Sequence, residues 1–292
     1  MGGARQPERG RVDRLRCPRL GVRRPRRPTS PGWWLSRLAR DRRLGSTHAD
    51  GRSRAAASVD HRRDAACARE LRRRAASVCA HASHGVTTRE ELLDHLRRHI
   101  GDERVLDAIA RVPRERFVPE RLRASAYADE ALPIGHGATI SQPTMVARLC
   151  EELRLNGSER VLDVGTGSGY QAAVLAELAA DVVSIERVPE LAKRARGTLA
   201  ASGYEVDVRI GDGTLGVPER APYDAIAVAA AAPEPPPALY EQLAPGGRLA
   251  VPVGSRRGQR LQIVTRGPSG PAVIRSVPCR FVPLVGRGGF AE

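Results

Sequence analysis

Residues 161–170 read Val-Leu-Asp-Val-Gly-Thr-Gly-Ser-Gly-Tyr, an apolar run broken by glycine at alternate positions: Gly165, Gly167 and Gly169. A second apolar stretch, Asp181-Val-Val-Ser-Ile-Glu186, follows and ends in an acid. The spacing predicts a strand over 160–164, a tight glycine turn, a helix from Tyr170 to about Ala180, and a second strand tipped by Glu186. Glycine opens backbone conformations closed to other residues and lets a ligand approach the chain. The helix after the turn presents unpaired N–H groups at its start. An acid at the end of the second strand suits a ribose, whose two hydroxyls need an acceptor. This pattern points to a nucleoside-bearing cofactor. The alternatives are an ordinary strand-to-helix turn and, for Glu186, a solvated strand end.

The frame also says which cofactor. A dinucleotide fingerprint, G-x-G-x-x-G, framed from Gly165 would put its third glycine at position 170, so that pyrophosphate can sit on the helix. Here Tyr170 holds the last position of G-T-G-S-G-Y. A G-x-G-x-G turn after a V-L-D-V strand resembles motif I of the S-adenosylmethionine-dependent methyltransferases, whose cofactor carries no phosphate.

The net charge of +15 has to be located before it means anything. Residues 1–80 hold 22 Arg and no Lys against 7 acidic residues. The remainder is balanced between acids and bases, as a neutral globular domain would be, and it is long enough to bury a core without staples. The basic stretch up to about residue 84 shows little apolar periodicity, so it is expected to be disordered. It reads as a disordered extension or an upstream chain start, as a tether for nucleic acid or a membrane surface through its arginines, or as a targeting peptide. The division expected is 1–84 for the extension and 85–292 for the methyltransferase domain.

The five cysteines, at 17, 67, 79, 150 and 279, form no C-x-x-C pair and no metal-like grouping. They fit free thiols in a reducing compartment, and no metal site is expected. No apolar run reaches the length of a membrane span and no hydrophobic region follows the first arginines, which argues against a secretory signal. The cytoplasm is the expected location.

Thr87-Thr88-Arg89-Glu90 has the form of a capping box, with Leu92, Leu93, Leu96 and Ile100 at helical spacing behind it. A second helix is expected over 102–110, a proline-punctuated connector over 111–119, a loop over 127–142 and a helix over 143–153. Beyond it, strands are expected at 160–164, 181–186, 206–210, 223–229, 247–253, 260–265 and 272–281. A helix over 189–201 opens with Pro189 and stops before Gly203. The alternation implies an α/β fold: a Rossmann-like, doubly wound, mostly parallel seven-stranded sheet with helices on both faces and a small helical N-terminal subregion.

Three acids invite scrutiny. Asp163 can accept from the N–H groups of the glycine turn and stiffen it, or merely cap it. Gly211-Asp212-Gly213 closes the third strand, where Asp212 can accept from an adenine amino group or form a common Asp-Gly turn. With the glycine turn and Glu186, it would make the third wall of an adenosine pocket.

More specific segments remain. Leu132-Pro-Ile-Gly135 with Ala138-Thr-Ile-Ser-Gln-Pro143, Arg111-Val-Pro-Arg-Glu-Arg-Phe-Val-Pro119, Ala229–Pro236 and Arg280-Phe-Val-Pro-Leu284 resemble the signatures of protein-L-isoaspartate O-methyltransferase. The resemblance runs in order from about residue 87 to 285. It implies S-adenosylmethionine as cofactor and methyl transfer to the α-carboxylate of L-isoaspartyl residues in damaged proteins and peptides. It makes Ser141 the active-site residue, although a serine before Pro143 also suits a helix N-cap. It seats the cofactor on Thr139, Asp163, Gly165, Gly167, Ser168, Gly169, Glu186, Asp212 and Gly213, and the substrate on Ile140, Val282, Pro283 and Leu284. Val285 departs from members that carry a hydroxyl there. His136, alone in a loop, is not read as a catalytic base. A monomer with no membrane contact is expected, and nucleic acid only through the basic extension. The competing readings are another methyltransferase of this class, acting on RNA or a small molecule, and a nucleic-acid-binding protein with a vestigial domain.

Because charge balance and motifs both lie beyond residue 84, a chain trimmed to 85–292 should fold and keep its methyl-transfer rate. An insoluble or inactive truncation beside an active full chain would show that the basic segment belongs to the fold.

Overall fold

The computed structural model describes residues 88–291, so the basic segment and its boundary at 84/85 lie outside the described residues. Helix α1 (Arg89–Arg97) opens with a capping box: Glu91 N donates to the Thr88 hydroxyl and Thr88 N to Glu91 Oε2, each at 3.2 Å. The box sits one residue later than the 87–90 frame. The doubled Thr and doubled Glu make both frames readable from sequence, and Thr87 itself lies outside the described residues. Helix α2 (Glu103–Arg111) is capped by Asp102. A two-stranded hairpin, β1 (Leu132–Gly135) and β2 (Ala138–Ile140), then leads into α3 (Pro143–Leu153).

The rest of the chain weaves one seven-stranded sheet. In chain order its elements are β3 (Arg160–Val164), α4 (Tyr170–Ala176), β4 (Asp181–Glu186), α5 (Pro189–Ala201), β5 (Asp207–Ile210), β6 (Tyr223–Val228), α6 (Pro237–Glu241), β7 (Leu243–Gly254), β8 (Gln259–Gly267) and β9 (Gly270–Cys279). The spatial order is β5-β4-β3-β6-β7-β8-β9. Pairs from β5 to β7 are parallel, and the last two are antiparallel. The chain steps outward from β3 to β5, then returns to the other side of β3 with β6. That reversal opens a crevice at the carboxyl ends of β3 and β6, where ligands of such sheets bind. Helix α4 is shorter than the reading to Ala180, because Ala180 N and Asp181 N leave the helix direction to donate to Glu159 O.

Both faces of the central strands are buried, which is why they read as near-continuous apolar runs. On β3, Val161 packs into the cluster built by α1 to α5, while Leu162 and Val164 join the opposite cluster with α6. The covering is uneven: five helices serve the first face, while α6 and the short 3-10 turns at Gly213–Leu215 and Pro218–Arg220 flank the second.

Leu162 is fully buried at the centre of the sheet. Leu162→Ala should lower unfolding free energy by about 2–5 kcal/mol, the range for a buried Leu truncated in a close-packed core. A urea titration reads the loss directly.

Candidate active site

The glycine turn is lashed to the next strand. Gly165, Gly167 and Gly169 all have positive φ, at 95°, 54° and 91°, which a side chain would strain. Gly165 N and Thr166 N both donate to Ile185 O, at 2.9 and 3.3 Å. Gly167 N donates to Glu186 Oε2 at 2.9 Å, and Val188 N to Glu186 Oε1 at 3.0 Å. Each carboxylate oxygen of Glu186 thus holds one protein N–H and keeps acceptor capacity for a ligand.

Asp163 does not contact that turn. It is fully buried behind it, where Gln171 Nε2 and Ser184 Oγ each donate to its carboxylate at 2.7 Å. The Thr166 and Ser184 hydroxyls share a hydrogen bond of 2.5 Å, so the carboxylate braces the turn through two side chains rather than through backbone N–H groups. Burial pushes its pKa up to about 6, against the pull of the Ser184 and Gln171 bonds and helped by the nearby Glu186 charge.

Ser141 leaves the hairpin between β2 and α3. It is not the helix cap: Gln142 occupies that position and makes no side-chain capping bond. The exposed N–H of the first turn is satisfied from outside, with Thr144 N donating to Asp129 Oδ1 and the Thr144 hydroxyl to Asp129 Oδ2, both at 2.8 Å. The Ser141 hydroxyl therefore keeps its hydrogen-bonding capacity, with no partner among the described residues. Arg194 Nη2 donates to Ile134 O at 2.6 Å and ties the hairpin to α5.

These pieces enclose a cavity of about 190 Å³. Thr139, Ile140, Ser141, Gly165, Gly167, Ser168, Glu186, Gly213, Val282, Pro283 and Leu284 line it, together with His136 and Val285. Gly213 is needed there, since a Cβ would stand 2.7 Å from Val164 Cγ1. Gly169 stands outside the lining, beneath Leu199, whose Cγ a Cβ would meet at 3.2 Å. Asp163 and Asp212 are also outside it. The Asp212 carboxylate accepts from Thr214 N, the Thr214 hydroxyl and Arg287 N. Burial would raise its pKa, but those donors and the Arg287 charge hold it below the ordinary value.

A model of the protein-L-isoaspartate(D-aspartate) O-methyltransferase family matches residues 87–289. The chain belongs to the protein-L-isoaspartate(D-aspartate) O-methyltransferase family. It is 58% identical over 194 residues to protein-L-isoaspartate O-methyltransferase 1 of Anaeromyxobacter sp. (strain Fw109-5), covering 65% of this chain and 92% of the relative. Enzyme 2 of Marinobacter nauticus is 57% identical, with 66% and 90% covered. Among solved structures, a protein-L-isoaspartate O-methyltransferase superposes with a TM-score of 0.63 at 30% identity, over 69% of this chain and 67% of that one. The Plasmodium falciparum enzyme, in complex with S-adenosyl-L-homocysteine, gives 0.58 at 29% identity, over 66% and 96%. Membership in the family makes the chain an enzyme and its reaction transfer of a methyl group from S-adenosylmethionine to isoaspartyl residues.

The cavity suits the family's cofactor. It joins a glycine turn with room for close approach, an acid with spare acceptor capacity, and a third wall at Gly213 that no side chain could share. Among the described residues no group of three or more His, Cys, Asp or Glu could hold a metal, and no helix is long and apolar enough to cross a membrane. Among the side chains that the sequence reading did not place at the site are Tyr170 and Gln171, which line the cavity, and Asp129, which holds the helix after Ser141. The first two sit on α4 where an apolar face is expected, and Asp129 lies in a loop whose partners are distant in sequence.

The raised pKa of Asp163 carries a stability prediction. The native protein binds this proton more tightly than the unfolded chain, whose carboxyl titrates near the ordinary 3.8. The contribution is thus full below about 3.8 and is lost as pH rises through about 6. Asp163→Asn, which keeps the shape without the charge, should shrink the change in urea midpoint between those two values. An unchanged gap would place the titration elsewhere.

Proposed function

We propose that methyl transfer to the α-carboxylate of an L-isoaspartyl residue takes place in this cavity, with Ser141 orienting the carboxylate. The observation that supports it most is the Ser141 hydroxyl, without a partner among the described residues, on the wall shared with the glycine turn and Glu186. Gly165, Gly167, Ser168, Glu186, Gly213 and Thr139 would hold S-adenosylmethionine, with Glu186 accepting from the ribose. Bound there, the sulfonium supplies an activated methyl group.

What is left to the protein is mostly alignment. A carboxylate with an ordinary pKa near 4 is already ionised at neutral pH, so no general base is required. Holding the reacting groups in line and excluding water can lower a barrier by up to about 7–11 kcal/mol. Ser141 would donate one hydrogen bond to one carboxylate oxygen and leave the other free to attack. The substrate backbone would run along Val282–Leu284. This segment is itself anchored: Ala231 N donates to Val282 O at 2.8 Å and Leu284 N to Ala231 O at 2.7 Å. Ile140, buried at the end of β2, gives that wall an apolar floor. Once released, the methyl ester loses methanol as the following backbone nitrogen closes a succinimide, and hydrolysis returns part of it to aspartate.

Asp163 and Asp212 enter as supports: one braces the glycine turn, the other ties the C-terminal segment beside Gly213. The inferred setting is the cytoplasm, in keeping with the free thiols of Cys150 and Cys279, and the inferred partners are isoaspartyl-bearing proteins and peptides. Any nucleic-acid contact would fall to the arginines before residue 85.

One peptide made in isoaspartyl and aspartyl forms tests the reaction, since only the first should accept methyl. Ser141→Ala should then slow transfer about 10²-fold, as a hydrogen bond to a charged group contributes roughly 1.5–3 kcal/mol and misalignment adds to it. S-adenosylmethionine affinity should stay within a few fold. A folded variant with an unchanged rate removes Ser141 from the mechanism.

A further inference from the structure

Arg114, in the connector after α2, is 0% exposed. Its guanidinium makes no ion pair with any described carboxylate. It is held by backbone carbonyls instead: Nε donates to Ala126 O at 2.8 Å, and Nη2 to Ser141 O at 2.8 Å and to Glu130 O at 3.4 Å. Nη1 has no partner. The guanidinium carbon lies 4.7 Å from the ring centre of Tyr170, which lines the cavity and whose buried hydroxyl makes no bond of hydrogen-bond geometry to any described residue.

A neutral amide could satisfy one or two of those carbonyls. A full charge buried with no ion-pair partner among the described residues is costly, and burial here works against the cationic form more than the Asp129 charge supports it. Such a charge makes sense if an anion arrives. The carboxylate whose charge Arg114 does feel, Asp129, is already committed to Gln142, Thr144 and His95. The anion the cavity is built to receive is the substrate's own carboxylate, beside Ser141.

We propose that Arg114 is a positioning residue for methyl transfer: through the Ser141 carbonyl it sets the place of the Ser141 hydroxyl, and its unpaired buried charge favours a carboxylate over a neutral group at that wall. The inference rests on Ser141 being the residue that orients the substrate. Arg114 stands behind the cavity lining rather than in it. Its grip on Ala126, Glu130 and Ser141 closes the loop between the connector and α3 into one rigid piece, so a change at Arg114 is felt at the hydroxyl.

The test compares the full-length chain with Arg114→Met, Arg114→Lys, Ser141→Ala and the Arg114→Met/Ser141→Ala double variant. The readouts are kcat and KM for an isoaspartyl peptide, S-adenosylhomocysteine affinity, melting temperature, and the inhibition ratio of that peptide to its α-carboxamide. Arg114→Met should lower kcat/KM by about 10²-fold, keep cofactor affinity within a few fold, and erase most of the preference for carboxylate over carboxamide. Arg114→Lys should keep the preference, which follows charge, and lose kcat, which follows the three-carbonyl grip. The double variant should be only slightly slower than either single one, because both changes remove the same alignment.

A folded Arg114→Met enzyme with full kcat/KM overturns the proposal. So does additive loss in the double variant, or a loss confined to stability and cofactor affinity with the carboxylate preference intact. If Arg114→Met does not fold, Arg114→Lys decides alone, and wild-type kcat in it overturns the proposal. An unimpaired Ser141→Ala enzyme would instead mark failure of the Ser141 reading, whatever Arg114 does.

Discussion

The carbonyl of Ile185 and the carboxylate of Glu186 are the fixed points on which the site is built. Three consecutive N–H groups of the glycine turn end on them: those of Gly165 and Thr166 on the carbonyl, that of Gly167 on the carboxylate. This works only in the parallel register that sets Val164 beside Ile185. A slip of one residue would turn every side chain of the strand to the other face. The buried apolar residues on both sides of β3 and β4 prevent that slip, so core packing and ligand geometry are enforced together.

Buried polar groups then extend the rigidity outward. Behind the turn, Asp163, Ser184, Thr166 and Gln171 form a connected set in which the carboxylate receives two donors. On the hairpin side, Asp129 satisfies the first turn of α3, and Arg114 gathers carbonyls from Ala126 to Ser141. Phe117 of the same connector meets Tyr170 edge-on at 5.8 Å, so the segment that supplies Arg114 also packs against the start of α4. The two walls of the cavity are thus braced by different parts of the chain and meet at Tyr170.

The third wall comes from the C-terminal end. Leu284 pairs with Ala231 beyond β6, and the chain then folds over so that Arg287 N reaches Asp212 and Gly288 N reaches the Thr214 hydroxyl at 3.0 Å. Gly286 allows that approach, since a Cβ there would stand 2.0 Å from Asp212 Oδ1. An acid that reads from sequence as an adenine acceptor is thereby engaged by the chain's own backbone.

The amino-acid order by itself determined the parts governed by local physics. Alternating glycines before Tyr170, the acid closing the apolar run at Glu186, and Pro189 followed by Gly203 mark a turn, a strand end and a helix, because φ freedom and capping are properties of a few neighbouring residues. The seven strands and the places of Glu186 and Gly213 at strand ends were legible for the same reason, whereas Ser141 was singled out by the resemblance of its segment to the family's signature. Which Thr opens α1 was not legible, since doubled residues leave the frame open. Neither were the partners of Asp163 and Asp212, the absence of a capping role for Ser141, or the importance of Arg114. Those were decided by tertiary structure. A buried polar group takes whichever donors or acceptors packing brings to it, and here the partners come from β4, the C-terminal segment and the loop before α3, separations over which sequence carries no distance information.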